Sequence, residues 1–167
     1  RQASGVSLQI FGTDISERAI DHARTGMYHA TAAEDVSPDR LRRFFTKVDG
    51  GFKVSKAVRD LCVFARQDLT RDPPFSKLDL ILCRNVMIYF PPDLCQDITR
   101  RFFTCLEDQG SLLVGHSEHS DLVFPGFSRS FNGRTIVYQK NGPNPGWERG
   151  IAIRFRVRCR TGSSIAS

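Results

Sequence analysis

The stretch Lys77-Leu78-Asp79-Leu80-Ile81-Leu82-Cys83-Arg84-Asn85-Val86-Met87-Ile88-Tyr89-Phe90 most constrains what this chain can fold into. Leu80, Ile81 and Leu82 follow one another without alternation, the pattern of a strand covered on both faces by helices. The run stops at two hydrogen-bonding side chains, so Arg84 and Asn85 are expected at the strand's carboxyl end, where open α/β sheets bind ligands. Val86 to Phe90 is apolar again but contains a phenol, and Pro91-Pro92 restarts the chain as a helix. Tyr89 is thereby placed one short turn from Arg84 and Asn85.

The segments around this stretch alternate in type. Ser7-Leu8-Gln9-Ile10-Phe11-Gly12-Thr13-Asp14 reads as strand then turn. Ser16 is placed to cap a helix carrying Ala19, Ile20 and Ala23 on one face, with Gly26 as its stop. Asp14 then ends a strand just before a helix, where an acid suits the two hydroxyls of a ribose. An acid there can also cap the helix or face water, and the residues alone leave this open. Ser37-Pro38 starts a helix through Phe45, with Arg40, Arg42 and Arg43 on a solvated face. Asp49-Gly50-Gly51 marks a hairpin turn into Phe52-Lys53-Val54, a small antiparallel excursion from the main sheet.

Leu61 to Ala65 resumes a buried strand, and Asp68 follows at its carboxyl end, expected at the same sheet edge as Asp14 and Arg84-Asn85. A long helix from Pro92 to about Asp108 carries Leu94, Ile98, Phe102, Cys105 and Leu106 as a stripe, with Gly110 as its end. Ser111 to Gly115 is a further strand delivering His116-Ser117-Glu118 to a loop, read as structural or substrate-lining because no nucleophile elbow accompanies them. Thr135-Ile136-Val137-Tyr138-Gln139-Lys140 alternates, as an antiparallel edge strand does. The predicted fold class is a doubly wound α/β sheet with an antiparallel terminal strand.

Composition narrows the function. No apolar run is long enough to span a bilayer and no signal peptide is evident, so a soluble, cytoplasmic protein is expected. Cys62, Cys83, Cys95, Cys105 and Cys159 form no CxxC pair, which gives neither a disulfide framework nor a metal site. The net charge of +6 does not point to nucleic acid. Residues 1–140 carry 19 Lys and Arg against 17 Asp and Glu, whereas residues 141–167 carry 5 Arg against 1 Glu. The basicity belongs to an extension that follows Asn141-Gly142-Pro143-Asn144-Pro145-Gly146, a linker by composition. One domain is thus expected over 1–140, followed by a basic carboxy-terminal extension 141–167 of unknown role. No GxxxxGK[ST] phosphate loop occurs, which argues against a nucleoside triphosphate enzyme.

Phe11-Gly12-Thr13-Asp14-Ile15, Asp79 to Phe90, and Gly115-His116-Ser117-Glu118 together resemble the catalytic domain of CheR-type chemotaxis protein-glutamate O-methyltransferases, over about Leu8 to Lys140. The spacing through Ala33 to Ser37 and Asp72 to Asp79 is most similar to the branch fused to methylesterase and sensor domains. The resemblance implies S-adenosylmethionine as cofactor and glutamates of a chemoreceptor's cytoplasmic domain as acceptors. It implies that Asp14 holds the cofactor ribose, that Asp68 and Leu69 lie beside the adenine, and that Arg84 and Asn85 line the cofactor site. Tyr89 matches an aromatic beside the transferred methyl, the one catalytic position; no metal is implied. From the residues alone Tyr89 could equally be core, and Arg84 an ion-pair partner of Asp68 or Asp14.

The chain departs from this family where a Gly-rich turn should precede Asp14, since only 13 residues stand before it. The family's small amino-terminal helical domain and its acceptor-site arginine are not seen either. The expectation is a partial Rossmann-like methyltransferase sheet with the first strand and Gly-rich turn missing, binding cofactor weakly when isolated. The alternative is a catalytically inactive signalling module that keeps part of the fold.

Overall fold

The computed structural model describes residues 8–73, 75–115, 126–132 and 135–142. The chain divides into two compact units, Gln9–Gln67 and, with Leu8, the described residues from Asp68 onward.

In the Gln9–Gln67 unit, strand β1 (Ile10–Asp14) pairs in parallel with β5 (Cys62–Arg66), in a register that sets Asp14 opposite Arg66. The ladder is extended at one end by Ile10 N donating to Leu61 O, and at the other by Gln67 N donating to Asp14 O. Helix α1 (Glu17–Thr25) follows β1. It is capped as the sequence predicts: Ser16 Oγ accepts from Ala19 N at 3.3 Å, and Gly26 ends the helix in the left-handed region at φ 64°. Ile20 is its buried anchor, and Arg24 Nη2 donates to Phe64 O of β5 at 3.0 Å.

The excursion between β1 and β5 is antiparallel, as expected, and larger than the hairpin alone. Strands β2 (Met27–His29), β3 (Phe45–Val48) and β4 (Gly51–Val54) form a three-stranded sheet in the order β2-β4-β3. Helix α2 (Pro38–Phe44) precedes β3, with Pro38 in its first turn, and Phe45 already belongs to the strand. The one-turn helix α3 (Lys56–Arg59) then leads into β5.

In the second unit, β6 (Leu78–Cys83) pairs in parallel with β7 (Leu106–Val114), across helix α4 (Pro92–Cys105). A parallel pair needs such a crossover, because a hairpin turn cannot return the chain in the same direction. Strand β9 (Thr135–Lys140) runs antiparallel to β7, and β8 (Phe127–Asn132) runs antiparallel to β9, giving the order β6-β7-β9-β8. The antiparallel terminal strand is as predicted. Ile81, Ile98, Phe102, Leu112 and Ile136 are among the buried side chains that join α4 to this sheet.

Three expectations change. The strand covered on both faces is only partly so: Leu78, Ile81 and Cys83 are buried, but Leu82 is 51% exposed. An apolar run therefore did not report equal cover of its two faces. Helix α4 ends at Cys105, three residues early, because Leu106 turns extended and enters β7 directly. Gly110 is required by strand pairing: a Cβ there would lie 2.9 Å from Leu78 O and 2.8 Å from Glu107 O. The close approach accompanies a register shift between Leu78 and Leu80 and a left-handed Gln109 at φ 68°. The sheets divide by unit, β1-β5 with the small antiparallel sheet in one and β6-β7-β9-β8 in the other.

Lys140 holds the amino end of β7. Its side chain is buried at 4% exposure, Nζ donates to Leu106 O at 2.8 Å, lies 3.7 Å from the Asp108 carboxylate and sits 4.9 Å from the Phe103 ring centroid. A buried cation needs such a set of partners, because its lost hydration is otherwise uncompensated. His116, Ser117, Glu118 and the extension beyond Gly142 lie outside the described residues.

Candidate functional site

Cys83, the last residue of β6, is buried, and the chain then turns outward. Asn85 takes a left-handed backbone at φ 59°. That region is sterically costly for residues with a Cβ, and Asn is one of the few that enter it readily. The turn Met87–Tyr89 follows as a single 3₁₀ turn, with Tyr89 N donating to Val86 O and Phe90 N to Met87 O. Met87 is buried and anchors it. The Cys95 thiol of α4 donates to Met87 O at 3.4 Å and to Phe90 O at 3.6 Å, tying the turn to the helix.

This anchoring pushes Arg84, Asn85, Ile88 and Tyr89 to the surface on one loop. Tyr89 is 77% exposed. The reading of Tyr89 as a packed core phenol is therefore removed. Arg84 makes no ion pair with a described residue of its own unit, so the structural pairing with Asp68 considered for it is not formed. A cation and a phenol held outward on an anchored, partly strained turn are groups available to a ligand.

Asp68 and Leu69 occupy a second loop of the same unit. The Asp68 carboxylate is turned inward: Oδ1 accepts from Thr70 N at 2.8 Å and from Thr70 Oγ1 at 2.6 Å. Asp72 Oδ2 accepts from Asp68 N at 2.7 Å, and Asp68 O accepts from Arg71 N and Asp72 N. Asp68 thus closes a turn with its own carboxylate, the Asx pattern. Leu69 packs against the core of the unit, and its carbonyl accepts from Arg101 Nη1 of α4 at 3.0 Å.

In the Gln9–Gln67 unit, Asp14 is exposed at the end of β1, and its Oδ1 accepts from Ser16 N at 2.7 Å. Capping and ligand binding are compatible here. The bond to Ser16 fixes the carboxylate rotamer and occupies one oxygen, leaving Oδ2 for a hydroxyl donor.

Sequence reasoning missed Arg101. Its signal was present, because residue 101 falls in the apolar stripe of α4, three after Ile98 and four before Cys105, where an arginine needs a polar partner. Cys105 and Cys62 are not poised for chemistry. Burial pushes the Cys105 thiol up to about 12, outweighing its hydrogen bond with Thr104 and the charges of Lys140 and Arg101, and burial also raises Cys62. A thiol held protonated is a poor nucleophile. Among the described residues no group of His, Cys, Asp and Glu is placed to hold a metal.

A mixed α/β protein with polar side chains at the carboxyl ends of its parallel strands has the architecture of the cofactor-binding α/β class. The chain belongs to the CheR methyltransferase family: residues 1–131 match the family described as CheR methyltransferase, SAM binding domain. It is 36% identical over 143 residues to chemotaxis protein methyltransferase 1 of Vibrio cholerae, covering 84% of this chain and 48% of that protein. It is 32% identical over 141 residues to the chemotaxis protein methyltransferase of Salmonella typhimurium, covering 77% of this chain and 46% of that protein. An uncharacterised 104.1 kDa protein of Rhodobacter capsulatus is 38% identical over 112 residues, which is 67% of this chain and 12% of that protein. The chain thus spans half or less of these relatives. A solved structure, described as a possible exported protein from Bordetella parapertussis, matches 80% of this chain and 54% of its own with a TM-score of 0.51 at 16% identity, a likeness of fold alone.

Proposed function

We propose that this chain is the S-adenosylmethionine-binding part of a methyltransferase that esterifies glutamate side chains of a chemoreceptor's cytoplasmic domain. The observation that carries the reading is the outward loop Arg84–Tyr89, which falls within the matched family region. On this reading residues 1–140 are methyltransferase and 141–167 an appended basic extension. A cytoplasmic site of action follows from the acceptor; no helix of the described residues is long and apolar enough to cross a membrane. Fusion to methylesterase or sensor domains belongs to this proposal; the 104.1 kDa relative, in which the matching segment is a small part, shows only that such a segment occurs in a much longer chain.

The residues present fit this cofactor. Asp14 keeps one carboxylate oxygen for a ribose hydroxyl. Leu69 offers an apolar side chain on a fixed turn for the adenine, with Asp68 setting that turn through its bonds to Thr70. Arg84 is exposed beside Asn85 and is suited to orient the methionine end. When bound, S-adenosylmethionine supplies an electrophilic methyl group on a sulfonium.

The acceptor needs little from the protein. A glutamate side chain, with an ordinary pKa of about 4.3, is ionised near neutral pH and attacks without a general base. Anion and cation neutralise each other as the methyl passes, so the protein gains by alignment and by excluding water. Tyr89 is suited to aligning the acceptor, because its phenol can donate to the carboxylate oxygen that does not attack, and the docked acceptor would cover its exposed ring. This accounts for a proposed site that lacks a nucleophile and base pair.

The test is calorimetric titration of S-adenosylhomocysteine into the full-length protein carrying this chain. Asp14→Ala should weaken binding by about 1.5–3 kcal/mol, the range for a hydrogen bond to a charged group. Arg84→Ala should weaken it as well. Wild-type affinity in both variants would remove these residues from the cofactor and reduce Asp14 to its bond with Ser16.

A further inference from the structure

Arg101 reaches from α4 to the Asp68–Asp72 turn by long-range hydrogen bonds. Its Nη1 donates to Leu69 O at 3.0 Å and to Thr70 O at 3.3 Å, across 32 and 31 residues of sequence. Among the described residues it forms no ion pair with a carboxylate. A half-buried guanidinium is thus committed to two main-chain carbonyls. The internal bonds of the turn use the Asp68 carboxylate, the Asp72 carboxylate and the Asp68 carbonyl. The carbonyls of Leu69 and Thr70 face outward from that scheme, and Arg101 takes both.

The helix that delivers Arg101 is rigid at that point. Ile98 and Phe102, on either side of it in sequence, are buried at 0% and 2% exposure, and Arg101 O accepts from Thr104 Oγ1 at 2.8 Å and from Cys105 Sγ at 2.7 Å. A charged donor to a neutral carbonyl is stronger than a neutral one, and two carbonyls on one guanidinium fix direction as well as distance. We infer that Arg101 is a positioning residue for the cofactor's adenine, holding Leu69 from behind through the Asp68–Asp72 turn without touching the cofactor. The inference rests on the proposed function, in which Leu69 lies beside the adenine.

The test uses the full-length protein carrying this chain, with hydrogen exchange and S-adenosylhomocysteine titration. In the ligand-free Arg101→Met variant, the Thr70, Arg71 and Asp72 amides should exchange about 10-fold faster, while the β7 amides of Leu112 and Leu113 exchange as in wild type. Affinity for S-adenosylhomocysteine should fall about 10-fold and the KM for S-adenosylmethionine rise equally, with kcat within about twofold of wild type. Arg101→Lys, which keeps one donor, should recover part of both losses. Should Arg101→Met fail to fold, Arg101→Lys alone decides: intermediate affinity with faster turn amides supports the inference, and wild-type values in both overturn it.

Two failures are distinguishable. If S-adenosylhomocysteine protects the Thr70 to Asp72 amides in wild type, yet Arg101→Met leaves exchange and affinity unchanged, the positioning role is wrong. If Arg101→Met loosens the turn without changing affinity, and the ligand gives those amides no protection in wild type, the cofactor does not lie at Leu69. A variant that loosens β7 as much as the turn would make Arg101 a general stabilising residue and overturn the inference.

Discussion

Replacing Tyr89 by Phe removes one hydroxyl from a side chain that is 77% exposed. No burial is lost with it, and the turn is held by main-chain bonds from Tyr89 N to Val86 O and Phe90 N to Met87 O, which the substitution leaves in place. Exposed substitutions of this kind change stability by no more than about 0.5 kcal/mol. For a domain of this size that is about 2 °C or less in Tm. If the phenol donates to the acceptor carboxylate in the transition state, kcat should fall about 10-fold to 100-fold, equivalent to about 1.4–2.7 kcal/mol. The KM for S-adenosylmethionine should stay within about twofold, since the lost bond is made to the other substrate. Steady-state methyl transfer and scanning calorimetry on the same preparations check all three values. Normal turnover would refute the catalytic assignment, and a Tm lowered by several degrees would refute the exposure on which the separation rests.

Lys140→Met keeps the buried stem but leaves Leu106 O without its donor, so stability should fall by about 1–3 kcal/mol in urea denaturation. A change below about 0.5 kcal/mol would mean that the β7 terminus is held by other bonds. Cys105 is a thiol whose folded pKa, about 12, lies above its ordinary value of 9.0. The folded state therefore binds more protons than the unfolded one between these values, and the Cys105 contribution, fully present below pH 9, is lost as pH rises from there toward 12. Its part of the slope is at most about 1.4 kcal/mol per pH unit, and Cys105→Ala should flatten the alkaline stability profile by that amount. An unchanged profile would place the thiol in water.

The parts of the fold that were legible in the sequence are those where local chemistry and tertiary context agree. Ser16 and Gly26 bracket α1, Pro92 starts α4, and the alternation of Thr135–Lys140 marks an antiparallel strand. The outward loop Arg84–Tyr89 was legible for the same reason, because an apolar strand that stops at two polar residues delivers them at its carboxyl end. What was illegible depends on contacts made at a distance. Gly110 read as a helix stop, yet its role is set by Leu78 O and Glu107 O. The bonds that the Asp68 carboxylate makes to Thr70 were likewise not written in the local sequence pattern.

Methyl transfer itself tests the account most directly. The full-length protein carrying this chain is incubated with S-adenosylmethionine labelled on its methyl group and with a chemoreceptor cytoplasmic domain. The account predicts label on receptor glutamates as esters that release methanol in mild base, with Tyr89→Phe reducing the rate and a receptor whose glutamates are changed to alanine taking up none. Tight binding of S-adenosylhomocysteine with no label transferred to receptor would contradict it, and would leave a cofactor-binding signalling module in place of an enzyme.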